Sequence, residues 1–216
     1  MNLGMIGLGR MGANMAQRLR RDNHRVVGFD HGQESRTRSA QNDIEVVASL
    51  QALVDALPAP RTVWMMVPAG SPVEATIGAL QELLVPNDIL IDGGNSNYKD
   101  TMVRAKALAA QRIHYVDVGT SGGVWGLEVG YCMMVGGPDD AVGRLAPFLD
   151  VLAPHPTEEH GPSDGRRPEP VAHLVERDVD RRTTERQGEL DGPVVGEVRE
   201  RHADEGDPSL PDQRHR

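Results

Sequence analysis

A chain of 216 residues is long enough for one domain with a sizeable core and something besides. A net charge of −9 with no offsetting basic patch argues against nucleic acid or an anionic membrane as partner. The lone Cys132 excludes an intrachain disulfide and suits a reducing cytoplasm; no apolar run approaches the ~18 residues of a membrane span, and the start does not read as a signal peptide.

In chain order, apolar runs alternate with helix-period segments, the pattern of βα units around a parallel sheet. Asn2–Ile6 is expected as the first strand. Met11, Met15 and Leu19 then recur at i, i+4 and i+8, which predicts a helix over Arg10–Arg21. The run RVVGF (Arg25–Phe29) makes a second strand that ends at Asp30. A short third strand (44–47) and a helix (50–57) follow, the latter stopped by Pro58-Ala59-Pro60. TVWMMV (62–67) is almost wholly apolar, as a strand buried on both faces would be. Beyond it are expected a helix (72–84), a strand (88–91) and a helix to about 111, with Asn97 and Asp100 as N-cap and N3 acid. Strands at 113–118 and 131–135 and a helix to about 152, capped by Asp139 or Asp140, complete the set.

Composition then breaks. All seven aromatic residues lie between Phe29 and Phe148, whereas 162–216 holds 24 charged residues among 55, with ten arginines and no lysine or aromatic. Such a stretch cannot bury enough apolar surface to offset its ordering entropy. The expected organisation is a folded domain over 1–161 and a charged, unfolded tail over 162–216.

Gly7-Leu8-Gly9-Arg10-Met11-Gly12 matches G-x-G-x-x-G between a strand and a helix. In that setting the first glycine makes a tight turn, the second admits a pyrophosphate, and the third lets helix and strand pack closely. The helix N-terminus adds free N–H groups and partial positive charge. The expected fold is therefore a Rossmann-type, doubly wound, mostly parallel α/β sheet, with these six residues as cofactor contacts. Asp30 lies where a carboxylate accepts from the adenosine ribose hydroxyls, which favours NAD. Arg36 and Arg38, read as loop residues, are close enough to keep NADP open.

Three more segments follow strand ends: Val67-Pro68-Ala69-Gly70, Asp92-Gly93-Gly94-Asn95-Ser96-Asn97 and Gly119-Thr120-Ser121-Gly122-Gly123. All would emerge at the carboxyl edge of the sheet, where ligands bind in open α/β folds. Together GLGRMG (7–12), MMVPAG (65–70), IDGGNSNYKDT (91–101) and GTSGGVWGLEVGYCMMVGG (119–137) resemble the decarboxylating 6-phosphogluconate dehydrogenases. Within them the chain resembles the shorter bacterial, NAD-linked type, and the resemblance covers residues 1 to about 161. The sister β-hydroxyacid dehydrogenases would show a serine-threonine pair where this chain has Gly94-Asn95-Ser96.

The resemblance implies that Val67, Pro68 and Ala69 line the nicotinamide ribose. It places Asn95 between nicotinamide and substrate, and gives Ser121, Gly122 and Gly123 the hydroxyls and carboxylate of 6-phosphogluconate. It also implies a homo-oligomer. Val124 stands where the longer NADP-type enzymes carry a glutamate. The implied reaction is oxidation at C3, with hydride passing to the nicotinamide, followed by loss of CO2.

Such chemistry needs an acid and a base. The family supplies them from a segment patterned G-x-G-H-x-x-K-x-x-H-N-x-x-E-Y, ahead of a large helical domain. No such segment occurs here: the only lysines, Lys99 and Lys106, precede its place and read as exposed helix charges. Family-like text continues through Glu158-Glu159-His160-Gly161 and then gives way to arginine-rich sequence, which suggests a reading frame lost near Gly161. The expected function is thus that of a truncated phosphogluconate dehydrogenase with no catalytic residue of its own. The alternatives are a non-catalytic dinucleotide-binding module and a β-hydroxyacid dehydrogenase. His155, His160, Glu158 and Glu159 read as a solvated loop without metal-ligand spacing, Cys132 as a buried thiol, and His24 and His114 as ordinary edge residues. Without a helical domain, apolar surface should be left exposed.

Overall fold

The computed structural model of the chain describes residues 1–154. Strand β1 (Asn2–Ile6) leads through the glycine turn into α1 (Arg10–Arg21), then β2 (Arg25–Phe29) and α2 (Gln33–Ala40). A two-residue β3 (Glu45–Val46), α3 (Leu50–Asp55), β4 (Thr62–Met65), α4 (Ser71–Gln81), β5 (Ile89–Asp92) and α5 (Tyr98–Ala109) follow. The last elements are β6 (His114–Ser121), a 3-10 turn (Gly123–Trp125), α6 (Gly126–Val129), β7 (Cys132–Gly136) and α7 (Asp139–Leu152). The strands form one sheet in the order β3-β2-β1-β4-β5-β6-β7. All neighbours pair in parallel except β6 and β7, which pair antiparallel from Asp117 opposite Gly136 to Ser121 opposite Cys132.

The sheet separates two apolar layers, and strand alternation decides which residue enters which. Leu3, Met5, Trp64, Ile89, Ile91, Val116 and Val118 pack with Met15, Ala16 and Leu19 of α1 and with Leu145, Phe148 and Leu152 of α7. On the other face Val27, Val63, Met65, Leu90 and Tyr115 meet Leu53 of α3, Ile77 and Leu80 of α4, and Leu108 of α5. Central strands therefore contribute to both layers, which is why TVWM in β4 is buried at every position. The i, i+4 pair Met15 and Leu19 faces inward as its spacing predicts, each with no solvent exposure. Truncating Leu19 to alanine would remove about 2–5 kcal/mol of stability.

The expected doubly wound sheet is present, and the structure corrects several local expectations. Residues 33–40, expected as loop, form α2 and carry Arg36 and Arg38 on a helix. The residue preceding α7 is Pro138, with no side-chain cap, and Asp139 and Asp140 lie in the first turn instead. Cys132 is exposed, not buried, because β7 is the edge strand and Cys132 and Met134 point to its outer face. His24 is buried rather than at a wet edge: its ring packs against that of Phe148, tilted by 52° with centroids 5.0 Å apart, and its Nδ1 lies 3.3 Å from the Met1 amine. Burial first, and the Met1 ammonium second, hold the imidazole below its ordinary pKa against the opposing pull of Asp22. The group formed by His155, Glu158, Glu159 and His160, like the 162–216 segment, lies outside the described residues.

Candidate functional site

The order of the sheet reverses at β1: β2 and β3 lie on one side of it, β4 to β7 on the other. Loops leaving β1 and β4 therefore diverge and open a crevice at the carboxyl edge. Here the two loops also touch. The Met66 N–H donates to the Ile6 carbonyl at 2.7 Å, and Gly7 sits against the Met66 carbonyl so closely that a Cβ would come within 2.4 Å of it. Gly7 adopts φ +90, which favours glycine on conformational grounds as well. A Cβ on Gly12 would lie 1.9 Å from the Gly7 carbonyl oxygen, so α1 packs against the turn only because residue 12 lacks a side chain.

Gly9 is different in kind. A Cβ there would meet nothing within 4 Å, so no protein contact demands glycine. The space is open, and it lies at the N-terminus of α1, which begins at Arg10 with no side-chain cap. The first N–H groups of a helix have no intrahelical partner. With no acidic residue in the first turn either, this end of α1 is chemically prepared for an external anion.

Beside the glycine turn, Asp30 follows β2. Its Oδ2 accepts from the Leu8 N–H and its Oδ1 from the Gly32 N–H, both at 2.7 Å. Each carboxylate oxygen keeps a further lone pair for a ribose hydroxyl. Leu8 itself is buried, so what it brings to the site is the N–H that fixes Asp30. Arg36 turns back onto the loop: Nη1 donates to the Asp30 and His31 carbonyls, and Nη2 to Gln33 Oε1 at 2.6 Å. Arg38 donates to Ser35 Oγ at 3.3 Å. Both arginines are thus tied within the β2–α2 segment.

The remaining predicted residues lie along the same edge, in the order of their strands. Val67 is half-buried, whereas Pro68 and Ala69 are exposed beyond β4. Gly94, after β5, approaches the Val67 carbonyl so nearly that a Cβ would stand 2.5 Å away. This brings Asn95, exposed and at φ +57, next to the Val67 loop. Ser121, Gly122 and Gly123 are exposed at the end of β6, with the two glycines at φ +146 and +50. The edge is also where β7 begins, since Ser121 pairs with Cys132.

Two residues that sequence reading did not single out hold this edge together. Asp92, with no solvent exposure, accepts from the Gly94 N–H at 3.0 Å, Ser96 Oγ at 2.6 Å, the Tyr115 hydroxyl at 2.8 Å and Arg104 Nη1 at 3.3 Å. Arg104, itself buried, also donates from Nε and Nη2 to Glu74 Oε1 at 2.9 and 2.6 Å. Asp117 pairs in register with Asp92, and its carboxyl is raised in pKa by burial first and by Asp92 second, with Arg104 opposing. Burial and Asp92 likewise hold the Tyr115 phenol well above its ordinary range. The signal for this cluster was weak: an acid ending β5, an arginine twelve residues on and a tyrosine of β6 meet only once α5 is packed on the sheet and β5 is paired with β6.

The fold is that of a dinucleotide-binding Rossmann domain. The chain belongs to the family of the NAD binding domain of 6-phosphogluconate dehydrogenase, whose model matches residues 2–161. It is 42% identical over 161 residues to the NAD(+)-dependent, decarboxylating 6-phosphogluconate dehydrogenase of Haloferax volcanii, covering 74% of this chain and 52% of the relative. Among solved structures, 6-phosphogluconate dehydrogenase from Plasmodium falciparum is similar at a TM-score of 0.66 and 25% identity, over 72% of this chain and 34% of that one. Mycobacterium tuberculosis 3-hydroxyisobutyrate dehydrogenase is similar at 0.65 and 27%, over 70% and 52%. The chain thus spans about half the length of the Haloferax relative.

Proposed function

We propose that residues 1–161 bind NAD at the carboxyl edge of the sheet and form the cofactor half of a 6-phosphogluconate dehydrogenase. The observation that carries this is the uncapped, open N-terminus of α1 at Gly9, facing a carboxylate at Asp30 that is already oriented by Leu8 and Gly32. The N–H groups that open α1, with the glycines of the 7–12 turn, would take the pyrophosphate; Leu8 acts through Asp30, which would accept from the adenosine ribose and disfavour a 2′-phosphate. Because Arg36 and Arg38, on α2, are engaged within the β2–α2 segment, NAD is preferred over NADP. Val67, Pro68 and Ala69 would line the nicotinamide ribose, with Asn95 beside the ring. NAD, when bound, would supply the hydride acceptor.

Ser121, Gly122 and Gly123 would hold the substrate. Their exposed backbone and short side chains let a polyhydroxylated acid approach closely, which supports 6-phosphogluconate as that substrate. The only lysines of the sequence, Lys99 and Lys106, are both exposed on α5. With no K-x-x-H-N segment in 162–216, we propose that it binds cofactor without turning over alone, that segment being a charged tail read from a displaced frame. Calorimetry of the purified chain should show NADH binding in preference to NADPH, and spectrophotometry no 6-phosphogluconate-dependent NADH formation. Tighter NADPH binding would overturn the cofactor choice, and measurable turnover would overturn the inactive reading. A DNA frame encoding K-x-x-H-N beyond Gly161 is expected; its absence from every frame refutes the displaced-frame origin of the tail.

The likeness to 3-hydroxyisobutyrate dehydrogenase favours a second reading, a β-hydroxyacid dehydrogenase domain. Gly94-Asn95-Ser96 speaks against it. Binding of a small β-hydroxyacid, and not 6-phosphogluconate, to the NADH-loaded chain would decide for it.

A further inference from the structure

The hydrogen bonds around Asp92 converge on one backbone turn. Gly94, on one side of Asn95, donates its N–H to Oδ1; Ser96, on the other side, donates its hydroxyl to Oδ2. One carboxylate therefore grips both neighbours of Asn95, and Asn95 between them takes the left-handed conformation, φ +57, which asparagine adopts more readily than other residues with a side chain. That carboxylate is itself fixed from outside the turn, by the Tyr115 hydroxyl of β6 and by Arg104 of α5, whose other nitrogens are held by Glu74 of α4. None of Glu74, Arg104 and Tyr115 lies at the glycine turn or at Asp30, which belong to β1, α1 and the end of β2.

We infer that Asp92 is a positioning residue, clamped by Arg104 and Tyr115, that sets the direction of Asn95 and so governs the fit of the nicotinamide end of the dinucleotide but not of its adenosine end. This rests on the cofactor orientation proposed above. A buried ion pair whose only task was to hold β5 to α5 would have no reason to treat the two ends of the ligand differently. A clamp on the Asn95 turn would.

The test is a pair of affinities measured on the full chain: NADH, which has both ends, and ADP-ribose, which lacks the nicotinamide. Wild type should bind NADH more tightly than ADP-ribose. Ser96→Ala removes one grip, and Asp92→Asn sets an amide against several donors. Each should weaken NADH about five- to tenfold and leave ADP-ribose within about twofold of wild type. Ser96→Thr, which restores the hydroxyl, should recover NADH affinity. If Asp92→Asn does not fold by circular dichroism, Ser96→Ala decides. Equal loss of both ligands, or loss of neither, overturns the inference while the cofactor site stands. A wild-type chain that binds no NADH at all removes the cofactor reading and the inference with it.

Discussion

Single residues in this molecule answer questions of space and of charge. Gly12 has no room for a side chain: the atom in the way is the Gly7 carbonyl oxygen, a backbone atom that cannot rotate aside. Gly12→Ala should therefore shift the turn, lowering stability by about 1–3 kcal/mol and abolishing NADH binding, read by thermal denaturation and calorimetry. Gly9→Ala, with nothing within 4 Å, should fold as wild type and lose only NADH affinity. Asp117 is a question of charge. Its carboxyl pKa is raised in the folded chain by burial and by Asp92, so ionisation at neutral pH works against folding, and the native state favours the protonated form. Asp117→Asn should then unfold at a higher temperature than wild type at pH 7. The gain should shrink as the pH falls through the raised pKa of the wild-type carboxyl, and vanish once that group is protonated in the folded and unfolded states alike. A gain independent of pH would assign the effect to packing instead. His24 has the opposite sign: its lowered pKa adds stability above about pH 6.5 that drains away on acidification.

At the scale of elements, β1, α1 and β2 were legible because their apolar periods are unmixed and their ends coincide with glycine or Asp30. Helix α2 was not. QESRTRSA buries only Ser39, so no apolar period marks it, and its position depends on docking beside β2 and β3. The 3-10 turn and α6 were hidden by the glycines of SGGVWGLEVG, which read locally as loop. The same limit governs the site. Loop-borne glycines announced it, whereas the Asp92–Arg104 cluster required knowing that β5 and β6 pair with Asp92 opposite Asp117. Arg18 is a further case, since its place on α1 says nothing of its partners. It is buried and donates to the carbonyls of Leu127, Glu128, Val151 and Ala153, so one guanidinium closes the carboxyl ends of α6 and α7. Arg18→Met should keep the packing of the stem but orphan those carbonyls, costing about 2–4 kcal/mol in denaturant unfolding. A loss under about 0.5 kcal/mol would mean that water replaces the guanidinium.

For the whole molecule, the described residues leave Trp125, Val129 and Met134 largely exposed around α6 and β7, with Tyr98, Met102 and Val103 on α5. Among those residues no helix is long and apolar enough to cross a membrane, so a bilayer-spanning helix does not account for them. Exposed apolar surface of this kind drives association. The purified chain should sediment as a concentration-dependent mixture, and Trp125→Ser should shift it toward monomer; a clean wild-type monomer would refute this. The direction of β7 has a further consequence. Six parallel strands deliver the chain to the carboxyl edge, and a seventh in the same sense would send α7 down to the opposite rim. Because β7 runs backward, α7 climbs instead and ends with Ala153 against Gly130, at the edge where β7 begins. A single reversed strand changes the parity of the whole path. The last described residues therefore lie against Gly130, where β7 begins, and not at the amino rim of the sheet.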